Sequence, residues 1–373
     1  MITVREVRTS RDIKEFIELP LRMYKNVWQF VPPLYADEKK LLRSGGCTSV
    51  ADAVFYLAEK DGRTVGRIQG IHQKQYNDLH GTKELRFTRF DAIDDPEVSR
   101  ALFSALEAWG RERGLTDIVG PLGYSDLDRE GLLIEGFSEN STFEEQYNFD
   151  YYGALIEDAG FKKDLDWLEF ELTAPEKKNP MLERVAQRAL ELNGLHIADT
   201  NMPKKKYIER YGDSFFDCLD ECYSKLYGTV PLTPEQRREI LDQFMLIVNI
   251  KLAVFICDKD DKVVAFGLCL PGIGDAVKKS GGRLTLPALI KLFSAAARPK
   301  VMDLALIAVR PEYQSSGINA VLINGLVDML CSGVVERCET NLNLETNTAV
   351  MSQWKYFTAR QHKRRRAYRK TLE

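Results

Sequence analysis

A short run of small and polar residues, Gln314-Ser-Ser-Gly-Ile-Asn319, is the part of this chain best suited to bind an anion. It follows the apolar run Leu304 to Val309, which predicts a buried strand that ends before Pro311. Apolar residues then recur at helical spacing from Ala320 to Leu330. Because the first amide groups of a helix lack intrahelical acceptors and lie at its positive end, this order predicts a phosphate-binding site.

The same pattern resembles the GNAT superfamily, the acyl-CoA-dependent N-acyltransferases. In that family a central strand ends in Val-x-Pro, a Gln/Arg-x-x-Gly-x-Gly/Ala loop and a helix follow, and an Asn comes after the fifth strand. The residues that match, in order, are Val309, Pro311, Gln314, Gly317 and Asn347. Asn319 departs from the family, since it stands where a second Gly or Ala is usual.

The resemblance implies that acyl-CoA is a co-substrate. Its pyrophosphate would lie on the backbone amides of the loop, and its pantetheine arm would pair with the open edge of the strand. The implied binding residues are Ala308, Val309, Gln314, Ser315, Ser316, Gly317, Ile318, Asn319, Ala320 and Asn347. No metal is expected, because the seven cysteines and four histidines show no ligand spacing.

Acyl transfer from a thioester needs a base for the amine and an acid for the leaving thiolate. GNAT enzymes often use a Glu as the base and a Tyr about seven residues past the Asn as the acid. Here that position holds Trp354, and Tyr356 lies two residues further on, roughly 200° round a helix. Glu345 and Tyr356 are therefore the predicted catalytic residues, with a solvated carboxylate and a packed aromatic ring as the alternatives.

The elements that would position these groups occur twice. Each half of the chain reads as helices, a hairpin, a strand, a helix and further strands, and the first hairpin crosses Asp61-Gly62. The predicted fold is α/β (α+β), with two tandem GNAT-like domains, each a twisted mixed central sheet flanked by helices. The predicted domains are residues 1–171 and residues 172–373, of which the second carries the acyl-CoA loop.

The first domain resembles the same fold with the phosphate site lost. Acidic residues, Asp91, Asp94, Asp95 and Glu97, stand where the loop would be, and they would repel a pyrophosphate. We predict a copy without catalytic activity. An unrelated α/β domain is the alternative.

Two further segments suggest roles. Residues Pro271 to Lys300 form an insertion with an amphipathic helix, Leu286 to Ala297, of the kind that acts as a lid or a dimer contact. The basic run Lys363 to Lys370 suggests either a contact with the CoA 3′-phosphate or a charged edge strand.

Composition narrows the function. An apolar fraction of 44%, a charged fraction of 29% and a net charge of −3 are typical of a soluble globular protein. We expect a cytoplasmic protein with no nucleic-acid or membrane partner, since there is no signal-peptide pattern or long apolar run.

The predicted activity is N-acyl transfer, with acetyl-CoA as the expected donor and a small amine or amino-acid-like acceptor. The alternatives are a Fem-like aminoacyltransferase with a tRNA donor and a non-catalytic binding protein. The sequence leaves open the acceptor, the acyl chain length and whether the chain forms a homodimer.

Overall fold

The computed structural model describes residues 1–372, except for the side chains of residues 243, 244 and 246. The first half contains β1 (Ile2–Glu6), α1 (Ser10–Met23), α2 (Tyr35–Arg43), β2 (Ala51–Lys60), β3 (Arg63–Gln73), α3 (Lys74–His80), β4 (Glu84–Ala92), α4 (Pro96–Arg111), β5 (Asp117–Gly120), β6 (Leu132–Glu135), α5 (Tyr152–Asp158) and β7 (Lys162–Thr173).

The second half contains α6 (Pro180–Asn193), β8 (His196–Ile197), α7 (Lys204–Tyr223), α8 (Pro234–Ile247), β9 (Ala253–Cys257), β10 (Val263–Pro271), α9 (Gly274–Lys278), α10 (Leu286–Ala297), β11 (Val301–Val309), α11 (Ile318–Cys331), β12 (Arg337–Thr340), β13 (Asn343–Leu344), α12 (Thr348–Met351) and β14 (Thr358–Thr371). Short 3-10 turns cover Ile250–Leu252, Pro311–Tyr313 and Ser352–Tyr356.

The chain forms two compact units. The first comprises residues 1–168, 274–288 and the C-terminal residues from His362, and the second comprises residues 169–273 and 289–361.

The first unit is built on a mixed sheet in the order β1-β2-β3-β4-β5, with β14 beside β5. Strands β4 and β5 run parallel over Glu84–Arg86, and the other neighbours are antiparallel. The predicted hairpin turn is confirmed, because Asp61 and Gly62 have φ of 51° and 73°, as a tight β-hairpin requires. Helix α4 buries its predicted apolar stripe in the core of this unit, with Val98, Leu102, Leu106 and Trp109 all at most 8% exposed.

The second unit has the same plan. Its sheet runs from the end of β7 through β12, β11, β10 and β9 to β8. Only the β11–β12 pair is parallel within this series. Helix α11 packs its apolar residues, among them Val321, Leu322 and Leu326, into the core. The predicted fold class is confirmed, since each unit is a mixed sheet flanked by helices.

The acidic residues of the first unit hold its fold. Asp91 is 1% exposed and accepts hydrogen bonds from Arg67 at 2.7 Å and from Tyr24 at 2.8 Å. Asp95 caps helix α4 and pairs with Lys60 at 2.6 Å. These carboxylates are used inside the unit, at the place where the second unit has its small-residue loop.

The basic C-terminal strand is not the edge strand that the sequence suggested. Strand β14 lies between β5 and β7, and it also pairs with β6. Lys363 and Arg365 are 1% and 0% exposed and both reach the carboxylate of Glu145. The pKa of Asp166 is lowered overall. Burial alone would raise this pKa, but hydrogen bonds from Arg366 and Lys163 stabilise the carboxylate and outweigh the effect of burial. The positive charges of Lys363 and Arg365 are matched by a carboxylate far away in sequence, so they do not mark a solvated edge, while the contact with the CoA 3′-phosphate stays a prediction.

Candidate functional site

The site begins where two parallel strands of the second unit separate. Strands β11 and β12 pair from Val301 to Leu304, and β12 ends at Thr340. The last bond across this gap runs from the Asn341 amide to the Leu304 carbonyl, at 3.1 Å. Strand β11 continues to Val309 and stays paired with β10 on its other side. Residues 305–309 therefore present an edge that no described strand covers on the β12 side.

Two side chains form hydrogen bonds with backbone groups of this open edge. The hydroxyl of Tyr223, at the end of α7, lies 3.3 Å from both the amide nitrogen and the carbonyl oxygen of Ile307. The side-chain amide of Gln314 donates to the carbonyl oxygen of Val309 at 3.1 Å. A ligand that pairs with β11 as an added strand would compete for these groups.

The loop after β11 has the backbone shape of an anion-binding turn. Ser315 and Gly317 have φ of 65° and 86°, in the left-handed region that favours glycine. A Cβ on Gly317 would lie 3.3 Å from the Cβ of Ala189 on α6, so α6 supports the loop closely. Helix α11 begins at Ile318. The amides of Ser316 and Ala320 are already used, since they donate to the carbonyl oxygens of Tyr313 at 3.4 Å and of Gly317 at 2.9 Å, whereas those of Ile318 and Asn319 have no backbone acceptor among the described residues. The loop can therefore bind an oxyanion through its backbone.

The strand edge and the loop open into one cavity of about 510 Å³. Its lining includes six of the predicted binding residues, namely Ala308, Val309, Gln314, Ser315, Asn319 and Asn347. Ser316, Gly317, Ile318 and Ala320 are not part of that lining; Ile318 is fully buried beneath the loop. The side chain of Asn347 caps α12 by accepting from the Val350 amide at 3.3 Å.

The two predicted catalytic side chains do not line this cavity. Glu345 and Tyr356 are both half-buried and lie outside its lining, so their roles remain predictions. Trp354 does line the cavity, is 3% exposed, and has an indole N–H without a hydrogen-bond partner among the described residues.

Several lining residues were not found from the sequence. They are Cys222, Tyr223 and Leu226 on or after α7, and Thr340, Asn341 and Asn343 at the end of β12. The first group carries no local signal, because α7 looks like any amphipathic helix. The second group lies in the polar sequence Thr340-Asn-Leu-Asn343, which runs from the last residue of β12 to the first residue of β13, and that pattern was available.

Two thiols near the site, those of Cys222 and Cys338, are poor nucleophiles. The Cys218 sulfur, 3.9 Å away, and burial both raise the pKa of Cys222. Burial raises the pKa of Cys338 well above its ordinary value. Both therefore stay protonated near neutral pH. In the described part of the chain, no group of His, Cys, Asp and Glu side chains is arranged to hold a metal ion.

Comparison with curated proteins gives two relatives that match over almost the whole chain. No model of a known protein family matches the chain. The chain is 27% identical over 382 residues to Protein YghO of Escherichia coli (strain K12), which covers 99% of this chain and 95% of that protein. It is 25% identical over 380 residues to a bacterial ceramide synthase of Caulobacter vibrioides, over 100% of this chain and 98% of that protein.

Comparison with solved structures concerns the fold. A tandem GNAT protein from the clavulanic acid biosynthesis pathway matches with a TM-score of 0.56 and 12% identity, over 100% of this chain and 99% of that one. A GCN5-related N-acetyltransferase from Sphaerobacter thermophilus matches with a TM-score of 0.51 and 12% identity, over 100% and 96% of the two chains.

Proposed function

We propose that this chain, which has the tandem GNAT fold that its sequence predicts, is an acyl-CoA-dependent N-acyltransferase. The observation that carries the proposal is the open edge of β11, which leads directly into the loop at the start of α11. The amides of a pantetheine arm are suited to pair with such an edge. A pyrophosphate is suited to the amides of Ile318 and Asn319, which have no backbone acceptor among the described residues.

We infer that the acceptor is a long-chain amine rather than a small one. The relative named as a ceramide synthase matches over the whole chain, and a ceramide is the amide of a fatty acid with a long-chain amino alcohol. The cavity is compatible with this inference, because slightly more than half of its lining residues are apolar, including Leu226, Leu322, Leu342 and Trp354.

The proposed chemistry moves two protons. The amine nitrogen forms a bond to the thioester carbonyl carbon, and the bond from that carbon to sulfur breaks. One proton leaves the amine, and Glu345 stays its predicted acceptor. One proton must reach the leaving thiolate, and we assign this step to Tyr223, whose phenol lines the cavity, in place of Tyr356. Backbone N–H groups on the open edge of β11 would stabilise the developing oxyanion.

A transfer assay tests the proposal. The full chain is mixed with acetyl-CoA or palmitoyl-CoA and with sphinganine, glutamate or a short alkylamine, and amides and free thiol are measured by mass spectrometry. We expect an N-acylated sphinganine. Acylation of only the small amines would contradict the proposed long-chain acceptor but would support N-acyl transfer as the reaction. Failure to bind either acyl-CoA by calorimetry would overturn both, and nuclease-sensitive transfer would favour a tRNA donor.

Replacing Gly317 with Ala is expected to weaken acyl-CoA binding about tenfold. An L-residue at φ of 86° costs about 1–2 kcal/mol, and the added Cβ presses on Ala189, so the loop shifts its amides. Calorimetry with acyl-CoA measures the effect.

The matched control is Gly333→Ala. Gly333 has φ of 72°, and an added Cβ there would meet nothing within 4 Å. The Gly333→Ala variant has a similar backbone strain at a site outside the loop, so its affinity for acyl-CoA should equal that of the parent chain. Equal losses in both variants would mean that general destabilisation, and not the shape of the loop, weakens binding.

A further inference from the structure

Helix α10 carries an exposed apolar face. Leu286, Ile290 and Phe293 are 72%, 62% and 52% exposed and follow each other at i, i+4 and i+7, which places them on one side of the helix. The other side of the helix is anchored, because Ala288 and Leu292 are 3% and 5% exposed. One face of the helix is therefore packed against the protein, and the apolar residues of the other face are exposed to solvent.

This apolar exposure is concentrated. Twelve large apolar side chains are exposed in the described part of the chain, and four of them lie between Leu284 and Phe293. Single exposed apolar residues are ordinary, but a contiguous set indicates a surface that meets another apolar phase.

The surrounding segment is strongly cationic. Residues 276–302 contain six basic residues and no Asp or Glu, although the whole chain has a net charge of −3. Three of the six, Lys279, Lys291 and Arg298, are exposed and form no ion pair with a described residue. A partner for this surface should therefore be both apolar and negatively charged.

We propose that helix α10 attaches this protein to the surface of an anionic lipid bilayer, with Leu286, Ile290 and Phe293 inserted below the headgroups. An interfacial helix combines an apolar face with Lys and Arg at headgroup level, and each basic residue near an anionic leaflet adds to the attraction. A second copy of the chain fits less well, since docking through this face would bring like charges together. This attachment departs from the absence of a membrane partner expected from the sequence.

The attachment is peripheral. None of the helices in the described part of the chain is both long and apolar enough to cross a membrane. The proposal concerns a surface and not the acyl-transfer site, so it can be tested without any substrate.

Vesicle flotation of the full chain provides the test. Vesicles of phosphatidylcholine alone are compared with vesicles that also contain phosphatidylglycerol. We expect the protein to float with the anionic vesicles and much less with the neutral ones, and the bound fraction should fall as salt rises. The double variant I290S/F293S should lose about tenfold or more in partitioning, because apolar burial supplies much of the affinity.

The matched control is Leu192→Ser, at a site 71% exposed on α6 and outside the α10 segment, which should float as the parent chain does. The charge reversal K291E/R298E keeps the apolar face and should lose the preference for anionic vesicles. Absence of flotation, or equal flotation of parent and I290S/F293S, would overturn the proposal. So would a dimer in analytical ultracentrifugation that I290S/F293S dissociates, because the face would then bind a second copy.

Discussion

Replacing Tyr223 with Phe is expected to lower kcat about 100-fold or more, which is the usual contribution of a positioned general acid. The substitution removes only the hydroxyl that lies 3.3 Å from the amide and carbonyl of Ile307. The ring keeps its packing at the end of α7, so the fold should be unaffected.

The same variant should not bind acyl-CoA more weakly. The Tyr223 hydroxyl occupies the open-edge groups of Ile307 that a pantetheine arm would use. Its removal leaves KM for acyl-CoA unchanged or lower while kcat falls.

Steady-state kinetics of Tyr223→Phe and Tyr356→Phe separate the two assignments. Tyr356 lies outside the cavity lining, so the kcat of Tyr356→Phe should stay within about twofold of that of the parent. A large loss of kcat in Tyr356→Phe with none in Tyr223→Phe would restore the assignment made from the sequence.

The loop proposed to bind acyl-CoA could be recognised in the sequence because its features are local. The strand, Pro311, Gly317 and the start of α11 follow each other along the chain, and each has its own backbone requirement. A left-handed φ at Gly317 and a helix start at Ile318 are consequences of residue type and order, and such features can be recognised in a single sequence.

The part of the cavity around Tyr223 could not be recognised in the sequence because it is assembled from distant segments. Tyr223 meets Ile307 across 84 residues of sequence, and nothing near Tyr223 in the chain marks it. The interpretation of the C-terminal basic run as an edge strand was wrong for the same reason. Lys363 is buried against Glu145 across 218 residues, so its partner was invisible to local charge patterning.

Among the acidic residues of the first unit, Asp91 has a structural role that the sequence did not predict. The sequence predicted only that they would repel a phosphate. The structure gives Asp91 a definite partner, since Arg67 lies 2.7 Å away and also donates to the Phe16 carbonyl at 2.8 Å. Arg67 and Asp91 side chains are 6% and 1% exposed. This pair ties α1 to the central strands β3 and β4.

Replacing Arg67 with Met is expected to lower the free energy of unfolding by about 3–5 kcal/mol, the usual cost of leaving one member of a buried ion pair uncompensated. Met keeps the apolar volume of the side chain, so the loss comes mainly from the charge. Urea denaturation followed by circular dichroism measures it. Arg100→Met is the matched control, because Arg100 pairs with Asp158 at sites 50% and 40% exposed, and its loss should stay below about 1 kcal/mol.

The double variant Arg67→Met with Asp91→Asn decides why the single variant is unstable. If the buried carboxylate is the cause, neutralising it recovers part of the loss, because Tyr24 and Tyr152 still have the Asn side-chain oxygen as an acceptor. The single variant Asp91→Asn is measured as well. If the loss of unfolding free energy in the double variant equals the sum of the losses in the two single variants, Arg67 and Asp91 do not act as a pair, and the ion pair is not what links α1 to the sheet. Partial recovery would show that this unit uses its carboxylate as an internal anchor, at the position where the other unit keeps an open loop.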